Sequence, residues 1–97
     1  MDDNSFRVQV ADDNNSDRLL LTTIIRNEGH EVSEASNGRE DVDLFVKERP
    51  DIVLMDALMP EMDGFEAAHA IRELSGEDLV PIIFLTSLKM LHHWRDV

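Results

Sequence analysis

Apolar and polar positions along the chain change period several times, and each change predicts an element. Phe6-Arg7-Val8-Gln9-Val10-Ala11 alternates, which predicts a strand. Asn14, Asn15 and Ser16 then offer N-cap side chains for a helix carrying Leu20, Leu21, Ile24 and Ile25, with Gly29 as its stop. A short strand is expected over His30–Ala35. Asn37-Gly38 leads into a second helix, with Val42, Phe45 and Val46 on one face and Pro50 ending it. Asp51-Ile52-Val53-Leu54-Met55-Asp56 is an apolar run closed by an acid, the pattern of a central strand covered on both faces. A loop through Pro60 and Gly64 precedes a third helix with Ala67, Ala68, Ile71 and Leu74 inward. Pro81–Thr86 is a fourth strand. In Ser87–Val97, Leu88, Leu91, Trp94 and Val97 recur every three residues, which is compatible with a last helix.

Strands alternating with helices imply an α/β fold, an open parallel sheet with helices on both faces. Right-handed crossovers bring the carboxyl ends of the strands to one edge, and ligands of such sheets bind there, where strand order reverses. The 97 residues are read as one domain, 1–97. Twenty-one Asp and Glu against nine Lys and Arg give a formal net charge of −12. A surface of that sign repels phosphate backbones and anionic lipids, so neither nucleic acid nor membrane is an expected partner. The chain has no cysteine, and its acidic start, Met1-Asp2-Asp3-Asn4, lacks an apolar leader segment. A cytoplasmic location is expected.

The chemistry gathers at the predicted carboxyl edge. Asp12 and Asp13 follow the first strand, Asp56 closes the third and Thr86 closes the fourth. Asp12-Asp13 alone reads equally well as a pair of acids at the positive end of a helix dipole. Three carboxylates in one small site repel one another unless protons or a cation compensate. Mg²⁺ answers that need, because it takes oxygen ligands and commonly uses one or two carboxylates with waters and a phosphate. His92-His93 is no metal pair, since adjacent positions on a helix diverge.

Asp12-Asp13, Asn37-Gly38, Arg49-Pro50-Asp51-Ile52-Val53-Leu54-Met55-Asp56, Met59-Pro60, Met62-Asp63-Gly64 and Leu85-Thr86-Ser87 occur in order. Together they resemble the receiver domain of bacterial two-component response regulators, over residues 6 to about 87. The resemblance implies a doubly wound, flavodoxin-like or CheY-like sheet. It implies Mg²⁺ held by Asp12, Asp13, Asp56 and the backbone carbonyl of Leu58, and phosphorylation of Asp56 by a phosphohistidine of a sensor histidine kinase. Thr86 would bond a phosphoryl oxygen and convert the modification into a changed surface. On this reading the protein is a signalling phosphoacceptor rather than an enzyme turning over a separate substrate. An aspartyl-phosphate phosphatase of the haloacid dehalogenase type would want a second acid two residues after the nucleophile, where Leu58 stands.

The family pattern continues past Thr86 with a helix, a fifth strand bearing a Lys-Pro pair, and a last helix. Lys89 is only three residues beyond Thr86 and is not that lysine, and the tail 88–97 is atypical. The expected sheet therefore lacks its fifth strand and last helix. Its fourth strand would be an apolar edge, open to a homodimer or other assembly. A receiver acting as an interaction module without phosphorylation is the alternative function.

Overall fold

The computed structural model describes residues 5–76 and 78–85. It contains β1 (Arg7–Ala11), α1 (Asn15–Asn27), β2 (Glu31–Ala35), α2 (Gly38–Glu48), β3 (Ile52–Asp56), α3 (Gly64–Ser75) and β4 (Ile82–Leu85). Thr86 and the expected tail helix over Ser87–Val97 lie outside the described residues. The four strands form one parallel sheet in the order β2-β1-β3-β4. The chain steps from β1 outward to β2, then returns across β1 to β3. With right-handed crossovers, that reversal puts α1 on one face and α2 and α3 on the other, where α2 and α3 pack together.

The helices start where the sequence supplies acceptors. Asn14, Asn37 and Asp63 cap α1, α2 and α3, each accepting from the N–H three residues on, of Asp17, Glu40 and Glu66. Glu40 reaches back to accept from the Ser36 N–H at 2.8 Å, closing a reciprocal cap. They stop for equally local reasons. Gly29, at φ +90°, turns the chain after α1, and its N–H donates to the Arg26 carbonyl at 2.9 Å. Arg49 takes a left-handed conformation after α2, and its guanidinium lies 5.6 Å from the centre of the Phe45 ring.

The main core lies between the sheet and α2/α3: Ala11, Ala35, Phe45, Val53, Met55, Met59, Ala67 and Ile71. Three helical stripes differ from expectation. In α1, Leu20 and Ile24 are exposed, while Thr22 is buried and Leu21 and Ile25 are half-buried. In α2 the inward stripe is Gly38, Asp41, Val42 and Phe45, which leaves Val46 outside. In α3 it is Gly64, Ala67, Ile71 and Ser75, and Leu74 faces out. Each stripe passes through a small or polar residue that hydrophobicity does not mark.

β1 is also covered on both faces, with Val8, Gln9, Val10 and Ala11 all buried. Gln9 is fully buried against α2, where its Nε2 donates to the Asp41 carbonyl at 2.7 Å and to Asp41 Oδ1 at 2.5 Å. Among the described residues, Gln9 Oε1 and Asp41 Oδ2 find no partner. Burial pushes the Asp41 carboxyl up to about 6 from the ordinary 3.8, with the Gln9 bond opposing. A proton on Oδ2 removes the charge that burial disfavours.

Between the unfolded value near 4 and the folded value near 6, folding takes up a proton. Stability from this group is therefore complete below about pH 4 and declines as pH rises through 6, by on the order of 2–3 kcal/mol. Asp41→Asn keeps the shape without the charge. It is expected to raise the melting temperature at pH 7.5 by several degrees and to leave it nearly unchanged at pH 4. An equal shift at both pH values in thermal melts would show that Asp41 is not the titrating group.

Candidate functional site

In the β1/β3 register Ala11 lies beside Met55. The residues that follow, Asp12 after β1 and Asp56 at the end of β3, therefore emerge together at the carboxyl edge. This is the point where the chain path splits to opposite sides of the sheet, so no crossover covers the gap. Asp13 comes from the same turn. One oxygen from each of Asp12, Asp13 and Asp56 lies within 4.8 Å of the others, with Asp12 and Asp56 buried and Asp13 exposed. The three carboxylates expected at one site are at one site.

Each buried carboxylate is aimed by a nearby amide. Asp12 Oδ1 accepts from the Asn14 N–H at 2.9 Å, and Asp56 Oδ1 from the Leu58 N–H at 3.1 Å. Burial is the main cause that raises both carboxyls above their ordinary value, and those amide bonds oppose it. Neighbouring acids raise them further: Asp56, Asp17 and Asp13 act on Asp12, and Asp13 and Asp17 act on Asp56. Asp17 is a residue that sequence reasoning missed. It is the acid of the first turn of α1, and only the fold brings it near enough to Asp12 and Asp56 to raise both.

The loop after β3 is fixed by two close approaches. The Gly64 N–H donates to the Ala57 carbonyl at 3.0 Å, and a Cβ at Gly64 would collide with the Asp56 carbonyl and Ala57 Cα. A Cβ at Gly38 would likewise strike the Met62 carbonyl. Asn37-Gly38 and Met62-Asp63-Gly64 thus meet: the start of α2 is pressed onto the loop that carries Leu58. Leu58 itself sits beside Asp56, its side chain half exposed. β4 ends with Leu85 paired to Asp56, and Thr86 falls outside the described residues.

The acid cluster lies at the carboxyl edge of the sheet. Two cavities among the described residues, about 220 and 360 Å³, lie instead at the amino ends of the strands, around Arg7 and Glu31 and around Arg49 and Leu79. No described helix is long and apolar enough to cross a membrane.

The family model of the response regulator receiver domain matches residues 8–96. PilH of Pseudomonas aeruginosa is 35% identical over 81 residues, covering 84% of this chain and 67% of PilH. The regulatory protein AtoC of Escherichia coli is 41% identical over 81 residues, which are 84% of this chain but 17% of AtoC. The probable transcriptional regulator ycf27 of Porphyra purpurea is 40% identical over 88 residues, and the chain spans about a third of its length. Among solved structures, the chemotaxis response regulator CheY4 of Vibrio cholerae superposes with a TM-score of 0.79 at 32% identity, over 93% of this chain and 75% of that one. A doubly wound parallel sheet, an acidic triad at its switch point and these likenesses agree, and the chain belongs to the response regulator receiver domains of two-component signalling.

Proposed function

We propose that Asp56 is the phosphoacceptor of this receiver and that it takes a phosphoryl group from a phosphohistidine of a sensor histidine kinase. The observation that carries this reading is the delivery of Asp56, by an adjacent strand, to an edge where its oxygen is within 4.8 Å of those of Asp12 and Asp13. In the transfer, an Asp56 carboxylate oxygen bonds to phosphorus as the bond from phosphorus to the histidine nitrogen breaks. The imidazole then takes up a proton. The Leu58 N–H holds Asp56 Oδ1 and so fixes the orientation in which the carboxylate would meet the phosphoryl group.

The donor set fits Mg²⁺. All the groups are hard oxygens and the neighbouring acids raise the buried carboxyls by repulsion, a donor set that Mg²⁺ commonly completes with waters and a phosphate. Asp12, Asp13, Asp56 and the backbone carbonyl of Leu58 would hold the ion. When bound, it would neutralise the negative oxygens that otherwise repel an incoming phosphoryl group. The Thr86 hydroxyl, by sequence one residue beyond the partner of Asp56, would bond a phosphoryl oxygen and carry the change into the following loop.

A second reading, an interaction module that works without phosphorylation, is favoured by one observation. Among the described residues β4 has β3 on one side and no strand on the other, and Ile83 and Phe84 are exposed, with Phe84 against Phe65. Such an edge suits strand addition by a second copy.

Incubation with Mg²⁺ and acetyl phosphate is expected to add one phosphoryl mass to the intact wild-type protein and none to Asp56→Asn. Absence of the gain in a folded sample would remove the phosphoacceptor reading. Mg²⁺ alone should raise the melting temperature, by roughly 2.7 kcal/mol of added stability at a hundredfold excess over its dissociation constant. Asp13→Asn should abolish most of that rise. For the second reading, light scattering should give a mass that grows with concentration in the wild type and stays monomeric in Ile83→Lys; a monomer throughout would dismiss it.

A further inference from the structure

The acidic edge is held by a cation that bonds none of its three carboxylates. Arg18, on the first turns of α1, keeps only 17% of its side chain exposed. Its Nη1 donates to the backbone carbonyl of Asp12 at 2.6 Å, and its Nη2 to Asn15 Oδ1 at 2.6 Å. Its Nε faces Glu34 Oε1 at 3.4 Å, and the other oxygen of Glu34 meets Arg26 Nη2 at 3.2 Å. The guanidinium therefore spans three elements: the turn after β1, the start of α1 and the end of β2.

Asp12 is consequently fixed at three atoms. Its N–H donates to the Ala35 carbonyl at 3.1 Å, continuing the β1/β2 ladder. Its carbonyl accepts from Arg18, and its Oδ1 accepts from Asn14. The carbonyl bond is the one that backbone pairing does not supply. It is also charge-assisted and mostly buried, so it should resist thermal opening better than a neutral exposed bond. Without it, a buried carbonyl loses its partner and the turn carrying Asp12 and Asp13 can relax away from Asp56, the direction in which the carboxylates repel one another.

We propose that Arg18, oriented by Glu34, is a positioning residue for the cation site: it acts through the Asp12 backbone and sets the spacing of Asp12 and Asp13 from Asp56. This rests on the reading that the three aspartates hold Mg²⁺. A guanidinium is required because three acceptors in three directions are met at once by its planar fork, which the single ammonium of lysine does not reproduce. Partners of metal ligands commonly contribute ten- to a hundredfold to affinity.

The test is calorimetric titration of Mg²⁺ into the full chain, well below the melting temperature, for wild type, Arg18→Met, Arg18→Lys, Glu34→Gln and Asp56→Asn. Arg18→Met is expected to weaken binding about tenfold or more. Arg18→Lys and Glu34→Gln should fall between it and the wild type, and Asp56→Asn should lose most binding. Wild-type affinity in Arg18→Met would overturn the proposal. If Arg18→Met does not fold, Glu34→Gln decides, because its side chain is partly exposed and it leaves Arg18 in place: wild-type affinity there would also overturn it. A purely structural role would lower melting temperatures without changing the affinity of the folded protein. If the wild type itself takes up no Mg²⁺, the metal reading fails and this proposal falls with it, an outcome marked by the control rather than by the variants.

Discussion

Mutual repulsion among Asp12, Asp13 and Asp56 is the constraint around which the rest of this domain is arranged. Left to itself, a chain would separate three acids whose oxygens lie within 4.8 Å of one another. Here separation is opposed from every side. The register of β1 with β3 sets Asp12 and Asp56 at neighbouring strand ends, and both strands are covered by helices and cannot easily shift. The Asn14 and Leu58 amides fix one oxygen of each buried acid. Gly38 and Gly64 let two helix starts close onto the loop after β3, and any side chain there would push that loop away. The sheet and its caps supply rigidity, and rigidity is what a site built on repulsion needs.

Much of the fold was legible because each element has its own local signal. All four strands appear where the period-two and apolar runs placed them, and Asn14, Asn37, Gly29 and Pro50 mark helix ends for the physical reasons that made them recognisable. The buried faces of the helices were harder to read. Thr22, Asp41 and Ser75 lie inward, while Leu20, Ile24, Val46 and Leu74 do not, because the inward stripe is chosen by the helix's position on the sheet as well as by its composition. Gln9 carries no local sign of its burial. Alternation identifies a strand, but a polar residue in it faces water only if nothing packs over it, and α2 does.

The site was legible in part for the same reason. Strand-end acids can be located from sequence, since strand ends in a parallel sheet share one edge, and Asp12, Asp13 and Asp56 are found there together. Asp17 and Arg18 were not, because a helix's first turn reaches the site only through the angle at which the helix packs. Arg18 has a further disguise: its partner is a backbone carbonyl, a group every residue carries and no sequence pattern distinguishes.

Asp41 and Asp56 show how one residue type, buried to a similar degree, is put to opposite uses. Both carboxyls are raised, and in both the first cause is burial. Asp41 lies in the middle of a helix-sheet interface, beside a Gln that donates to one of its oxygens. Among the described residues no charged side chain bonds it, so a proton is the cheapest way to remove its charge. Asp56 lies where the sheet ends. One of its oxygens accepts from the Leu58 amide, and two more acids lie beside the carboxyl group. There a cation, as proposed for this site, would compensate several charges at once, which no single proton can do. Position in the fold thus separates the two: a carboxyl enclosed under α2 is neutralised by a proton, whereas one at a strand end beside two more acids is placed for the cation and phosphoryl group proposed for this edge.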